Sequence, residues 1–481
     1  MTGLRRRALA MAAGVVTVAS LPPWGWWPLG VIGLAAFLHL PADASFRARF
    51  ATAWWFWLGA YLPGMVWMMD LTLPGWLLAT PIEAAIMAVP LALLPSAGSP
   101  RLVGLPAALV IGEAVRWVVP FGGVPMTNLA LGQVGAPWVD VVRIGGPLLL
   151  VAVLGLTAVA LAGLRTHRRA SLLALGALIL LMGVAAAAPR GSVDGELHVA
   201  VVQAGGALGT NAVTNTERPV FDRHVDALAA SPPDVDLILW SESSASSFGP
   251  VETSPHMAEL EDLAQTYGAT IIANFSELTT DRFRNTAVSV DPERGYLDRY
   301  DKVHLVPFGE YVPLRGFIER FVDLSLIPRE AIPGTGSGVL DTGLGPVATV
   351  ISFEVYFPER VRSGVADGGR IVVNPTLASS YTTSMVPGQS LASARLRAIE
   401  SGRWVLQSST TGFSAIVDPD GRVVARTGLR EAGVVTAVAE LRSGSTWATQ
   451  LGKWPVTLMA LLLLGWVAAP RPRRVRSDPA P

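Results

Sequence analysis

The chain has 481 residues, 51% of them hydrophobic and 15% charged, with a formal net charge of zero. A balanced charge offers no field to draw a polyanion, which points away from nucleic acid as a partner. There is no cysteine, so disulfides, zinc–thiolate sites, iron–sulfur clusters and a cysteine nucleophile are excluded. The six histidines show no metal-ligand spacing, and neither a metal nor another cofactor is expected.

The first 190 residues are dominated by long apolar runs, and one more follows near the C-terminus. Roughly 20 apolar residues cross a bilayer as a helix. By that measure eight spans are expected, near 8–22, 25–40, 51–69, 75–96, 102–119, 144–164, 170–188 and 453–470. Arg5-Arg6-Arg7 before the first run also fits a signal peptide, but Leu21-Pro22-Pro23-Trp24 is no small-residue cleavage site, so a retained helix is expected.

Arginine placement orients these spans. Arg5 to Arg7, Arg47 and Arg49, Arg101, Arg165, Arg168 and Arg169, and Arg471, Arg473, Arg474 and Arg476 all fall on one side if eight spans alternate. That side is the cytoplasm by the positive-inside rule. The expected organisation is a membrane bundle of seven helices over 1–189 and an extracytoplasmic domain over 190–450. An eighth membrane helix over 451–470 and a basic cytoplasmic tail over 471–481 complete it. The location expected is a bacterial cytoplasmic membrane, crossed many times.

Within the spans, Glu113 and Arg116 stand three apart and share a helix face. Ionisable groups in lipid pair or line a functional cavity, and both readings stand. The loop 120–143, with Phe121-Gly122-Gly123-Val124-Pro125, is apolar enough to dip into the bilayer edge.

From about 196 to 441 short β-branched runs alternate with helical stretches. Strands are expected at 197–203, 235–241, 270–275, 346–352, 370–374, 404–409, 413–417 and 433–440, and helices at 218–230, 257–267, 358–366 and 389–402. Asp291-Pro292-Glu293-Arg294-Gly295 and Asp418-Pro419-Asp420-Gly421 signal hairpins. The alternation argues a layered α/β domain with helices on both sides.

Three polar positions stand where apolar strands or hairpins end. Glu242 follows Leu237-Ile238-Leu239-Trp240-Ser241, Lys302 follows a hairpin, and Ser352 follows Val347-Ala348-Thr349-Val350-Ile351. The chain has only two lysines, Lys302 and Lys453, against a large excess of arginine. A compact ammonium fits a crowded site that a planar guanidinium does not. A carboxylate, a cation and a hydroxyl could act as base, oxyanion stabiliser and nucleophile. The same residues also fit a strand-end carboxylate capping backbone, a surface lysine and a hydrogen-bonded serine.

At these places the chain resembles the nitrilase superfamily, whose signature is a Glu-Lys-Cys triad. More narrowly it resembles the membrane-embedded apolipoprotein N-acyltransferases. The resemblance rests on Leu21-Pro22-Pro23-Trp24-Gly25-Trp26-Trp27-Pro28, Glu113 with Arg116, and Trp240-Ser241-Glu242-Ser243. It rests further on Lys302-Val303-His304-Leu305-Val306-Pro307-Phe308-Gly309-Glu310-Tyr311-Val312-Pro313, and on Arg397 to Arg403 and Thr411-Gly412-Phe413-Ser414. It implies a multi-span α-helical membrane bundle plus an α/β nitrilase-like αββα sandwich. It also implies Glu242 as general base, Lys302 as oxyanion-side cation, Glu310 as a carboxylate orienting the lysine, and Glu354 lining the nucleophile's pocket. The implied reaction moves an acyl chain from a phospholipid donor, through a covalent acyl-enzyme, to the N-terminal S-diacylglyceryl cysteine of an apolipoprotein acceptor.

Three positions depart from the family pattern. Ser352 stands at the nucleophilic cysteine, Phe353 at a usual tyrosine, and Asn374-Pro375-Thr376 runs into Leu377-Ala378-Ser379-Ser380-Tyr381 in place of an Asn-Asp-Ala-Trp loop. A hydroxyl needs a well-placed base where a thiol does not. Ser352 is read as a working nucleophile of a divergent branch, an engineered replacement, or the mark of lost chemistry. The alternative functions are a membrane-tethered amidase and a scaffold partner of a lipid-linked glycosyltransferase.

Overall fold

A computed structural model describes residues 2–42, 45–206, 218–320, 329–381 and 383–469. The tail arginines 471, 473, 474 and 476 lie outside the described residues.

Seven helices precede the α/β half: α1 (Gly3–Val18), α2 (Trp27–His39), α3 (Phe46–Gly64), α4 (Leu73–Leu93), α5 (Ser99–Arg116), α6 (Val142–Gly163) and α7 (Arg168–Ala187). An eighth apolar helix closes the described chain. Each expected run holds a helix, but among the described residues α4, the stretch Val139–Gly163 and α7 are the three long and apolar enough to cross a membrane. α2 has 13 residues and the last helix 15, short of a full crossing at 1.5 Å per residue. Helix boundaries also differ from the apolar runs. α1, α3 and α5 begin before them, so Arg5 to Arg7, Arg47, Arg49 and Arg101 lie in the first turns of helices and not between them. Long arginine stems let a helix extend past its apolar stretch with the charge at its end.

The loop after α5 does not lie at a free edge. Met126 to Gln133 are buried, and Thr127 joins the two halves. Its N–H donates to Gln389 Oε1 at 2.7 Å and its hydroxyl to the Gly64 carbonyl at 2.7 Å. Its tip, around Phe121, is exposed, and so are Gly135 and Pro137.

The α/β half runs β1 (Ser192–Gln203), α8 (Arg218–Leu228), β2 (Leu237–Leu239), β3 (Ala245–Phe248), α9 (Pro255–Tyr267), β4 (Thr270–Leu278), β5 (Arg282–Asp291) and β6 (Gly295–Asp301). It continues through α10 (Arg315–Ile318), β7 (Glu330–Ala331), β8 (Val339–Asp341), β9 (Pro346–Thr349), α11 (Pro358–Ala366), β10 (Val372–Thr376) and α12 (Met385–Ser401). Then come β11 (Val405–Ser409), β12 (Ala415–Val417), β13 (Val423–Arg426), β14 (Gly433–Ser443), α13 (Trp447–Leu451) and α14 (Trp454–Ala468). The strands form two sheets, ordered β14-β1-β2-β4-β5-β6 and β13-β12-β11-β10-β9-β8, with β3 beside β4 and β7 beside β5. Both expected hairpins form, joining β5 to β6 and β12 to β13.

Strand alternation sorts the side chains into layers. Val199 and Val201 of β1 and Val373 of β10 meet between the sheets, with Leu239, Ile272, Ile351 and Leu406. Ala200 and Val202 turn the other way, onto Phe221, Leu228 and Leu260 of α8 and α9. Val372 and Val405 turn onto α11 and α12. That outer layer is continuous with the bundle, since Val365, Leu396 and Ala398 share one core with Leu109, Leu150 and Val456. The domain is therefore an αββα sandwich whose second helical layer is also the roof of the bundle.

Candidate active site

The two sheets end in matching turns at one edge of the sandwich. β2 runs through Trp240 and Ser241 to Glu242, and the next residue, Ser243, has φ of 54°. β9 runs to Ser352, which also has φ of 54°. Non-glycine residues in this region are strained and persist only where their surroundings hold them. Each turn is held the same way, by an asparagine on the adjacent strand. Ser243 N–H donates to Asn274 Oδ1 of β4 at 2.7 Å, and Ser352 N–H to Asn374 Oδ1 of β10 at 2.9 Å.

Lys302, directly after β6, is 1% exposed and sits between two carboxylates. Its Nζ lies 3.1 Å from Glu242 Oε1 and 3.0 Å from Glu310 Oε1. Asn285 of β5 donates one amide nitrogen to both carboxylates, at 2.8 and 3.0 Å. Burial opposes the Lys302 charge, but Glu242 and Glu310 outweigh it and hold the ammonium above its usual range. Its third N–H has no partner among the described residues, and neither has the second oxygen of Glu242.

Ser352 is half-buried, and its Oγ lies 3.1 Å from Thr376 Oγ1. No hydrogen bond joins Ser352 to Glu242 or Lys302 among the described residues. Thr376 connects them, because its carbonyl also accepts the Glu242 N–H at 3.3 Å. Thr376 thus joins the serine turn to the turn that carries Glu242, the partner of Lys302. Hydrogen bonds of this kind often tighten only when substrate arrives.

Glu310 meets the lysine from a turn of its own making: its other oxygen accepts the Val306 N–H at 2.8 Å. Glu354 does something other than line the nucleophile's pocket. It is fully buried and accepts N–H groups from Val303 and His304 at 2.9 and 2.8 Å and from Ile351 at 2.9 Å. Tyr300 O–H donates to it at 3.0 Å and accepts from Arg360 at 2.8 Å. Glu354 therefore ties the lysine segment to the serine turn. Burial raises its carboxyl, and Arg360 and these amides pull against that rise.

Asn285 carries no mark in the sequence beyond being polar, and Thr376 and Tyr381 stand out there only as parts of the segment that departs from the family loop. Burial pushes the Tyr381 phenol up to about 12, with Glu242 adding to the rise and Lys302 opposing it. Its ring meets Trp67, from the segment after α3, edge-on at 5.9 Å. A second bridge runs from Tyr311, whose hydroxyl donates to the Phe121 carbonyl at 3.0 Å, while Phe121 and Phe308 pack at 5.9 Å. The helical half thus supplies two walls of the approach to the site. Such a setting can activate a hydroxyl, hold a developing oxyanion and admit an apolar chain.

The carbon-nitrogen hydrolase family profile matches residues 198–449, and the profile of the apolipoprotein N-acyltransferase N-terminal domain matches residues 13–160. An apolipoprotein N-acyltransferase of Gloeobacter violaceus is 29% identical, over 98% of this chain and 97% of its own. One from Pseudomonas aeruginosa is 27% identical, over 97% of this chain and 96% of its own. Among solved structures, Saccharomyces cerevisiae Nit3, a member of branch 10 of the nitrilase superfamily, covers 52% of this chain and 91% of its own at 22% identity and a TM-score of 0.40, too distant to carry an argument. With over half its length matched by the first profile, the chain belongs to the carbon–nitrogen hydrolase family, with the N-terminal domain of the apolipoprotein N-acyltransferases ahead of its hydrolase fold.

Proposed function

We propose that the protein is a membrane-bound acyltransferase that N-acylates lipoproteins, using a phospholipid as donor and a diacylated N-terminal cysteine as acceptor. The observation that carries this reading is Lys302, fixed between Glu242 and Glu310 with one N–H unspent, while Thr376 joins Glu242 to Ser352. Nearly full-length similarity to apolipoprotein N-acyltransferases supports it. The helices form a multi-span bundle, and the α/β domain stands on the outer side of the cytoplasmic membrane, where the arginine bias puts it.

In the first half-reaction Ser352 Oγ attacks the ester carbonyl of the phospholipid and Glu242 takes the hydroxyl proton. Lys302 faces the tetrahedral oxyanion. The C–O bond to the glycerol breaks, the lysophospholipid alkoxide leaves with the proton from Glu242, and an acyl ester remains on Ser352. In the second, the α-amino group of the acceptor attacks that ester, an amide forms, and Ser352 recovers its proton. Oxygen esters react more slowly with amines than thioesters do, so the positioning of the amine matters more here than with a thiol nucleophile. A scaffold that had lost its chemistry would have no use for a buried ammonium with a free donor.

Incubating the full-length protein with phospholipid alone should add one acyl mass to the peptide carrying Ser352. Adding a diacylated lipopeptide should discharge it into a triacylated product. Product formed equally well by Ser352→Ala removes Ser352 from the mechanism, and fatty acid released into water without an amine acceptor makes the protein a hydrolase.

A further inference from the structure

A cavity of about 80 Å³ lies where the α/β half meets the bundle, lined by Gly146, Glu359, Arg362, Glu400, Lys453 and Trp454 among others. None of its lining residues hydrogen-bonds to Glu242, Lys302 or Ser352 among the described residues. Three chain features build it. α6 breaks at Gly145 and Gly146, where Gly146 has φ of 66°, and resumes at Pro147. α11 opens on Pro358, and α14 opens on Trp454 and Pro455. Three helix beginnings, each carrying proline in its first turn, converge on one space, and helix beginnings favour negative charge.

The side chains of the cavity have two edges. On one, Arg362 spends Nε and Nη2 on the carbonyls of Thr449 and Gln450, at 2.7 and 3.2 Å, which leaves Nη1 without a partner among the described residues. Lys453, the other lysine of the chain, spends one N–H on Glu359 at 2.7 Å. On the other edge Glu400 is only 9% exposed, yet one of its oxygens has no hydrogen-bond partner among the described residues. Its second oxygen meets Arg397 at 2.9 Å. The free oxygen lies against Gly146, where a Cβ would come within 2.6 Å of it. Burial lifts the Glu400 carboxyl to about 7 against the pull of Arg397, a cost that an arriving cation would relieve. The free edge of the cavity thus offers donors to an anion and an acceptor to a cation.

The surroundings are those of a lipid surface. Trp454 is largely exposed at the rim, and Leu458, Met459, Leu461 and Leu462 continue an exposed apolar face along α14. Tryptophan at a polar–apolar boundary marks the headgroup level of a bilayer. We propose that this cavity holds a phosphate ester bearing a primary ammonium, as the headgroup of a membrane phospholipid, apart from the lipid that reacts. The phosphate faces Arg362, Lys453 and the helix beginnings; the ammonium faces Glu400. Acyl chains lie along the outer face of α14. The inference rests on the membrane reading but not on acyl transfer.

Hydrogen exchange of the delipidated full-length protein in detergent tests it. Phosphatidylethanolamine should protect peptides covering 358–362 and 450–456, and phosphatidylglycerol should not. Lys453→Gln and Glu400→Gln should each lose that protection. Ser352→Ala should keep it while losing turnover, so the two readings fail separately. Equal protection by soluble phosphoethanolamine supports the site and assigns it a soluble ligand. No protection by phosphatidylethanolamine, equal protection by phosphatidylglycerol, or protection unchanged in both variants overturns the proposal. Should Glu400→Gln fail to fold, the half-exposed Lys453→Gln decides alone.

Discussion

Among the described residues two clusters, one in each half, set a buried cation between two carboxylates that are themselves buried. In the bundle Arg116 meets Glu83 at 2.6 Å and Glu113 at 3.0 Å; in the α/β half Lys302 meets Glu242 and Glu310. The difference lies in what remains unspent. Every nitrogen of Arg116 has a partner, since Nη2 donates to the carbonyls of Val124 and Met126 at 3.1 and 3.0 Å, and Tyr61 stacks at 4.6 Å. Glu113 uses its other oxygen on the Leu129 N–H at 2.9 Å. This cluster clamps the loop after α5 onto two helices. Lys302 is fixed just as firmly but keeps a hydrogen; an unspent carboxylate oxygen, by contrast, occurs in both clusters, on Glu242 and on buried Glu83. The planar fork of arginine suits the first duty and the compact ammonium the second. Burial and pairing alone therefore do not distinguish the two clusters; the bonding capacity left on the cation does.

Three substitutions can break or sharpen this contrast. Lys302→Gln should lower the rate of lipopeptide acylation by about 10³-fold, as loss of one oxyanion partner does, with the protein still folded. An active Lys302→Gln would make the two clusters equivalent. Arg116→Leu should instead cost about 3–5 kcal/mol of stability by leaving two carboxylates buried without their cation. Thermal unfolding in detergent reads this, and activity per folded molecule should stay near normal. A stable but inactive Arg116→Leu would place the bundle cluster in the chemistry. Thr376→Val, the mildest, removes one hydroxyl and roughly 1 kcal/mol, which should slow acylation of Ser352 about fivefold without changing release to the amine. A slowed second step with an unchanged first would move Thr376 to the acceptor side.

Much of the site was readable because it sits where patterns stop. Glu242 and Ser352 end apolar runs, and Lys302 stands out in a chain that otherwise uses arginine. Asn285 was not readable: an asparagine within a strand has no visible purpose until the β5–β6 hairpin carries it beside both carboxylates. Thr376 was visible only as a departure from the family loop, although it is what connects the serine to the glutamate. The family resemblance implies that Glu354 lines the nucleophile's pocket. Its carboxylate turns inward to three backbone amides, a direction that spacing cannot reveal. In the bundle, apolar run lengths located every helix but not the helix ends, because arginines extend some helices and prolines shorten others. The kink at Gly145 and Gly146 likewise lies inside a run that reads as uninterrupted helix.

The layer in which Val365, Leu396 and Ala398 pack together with Leu109 and Leu150 has a practical consequence. An excised sandwich would carry a greasy underside with nothing to rest on, and an emptied helical half would lose its ceiling. Neither piece is a natural unit of folding, so catalysis and anchorage were not assembled here like a head on a stalk. The enzyme is better pictured as one object with a single continuous core.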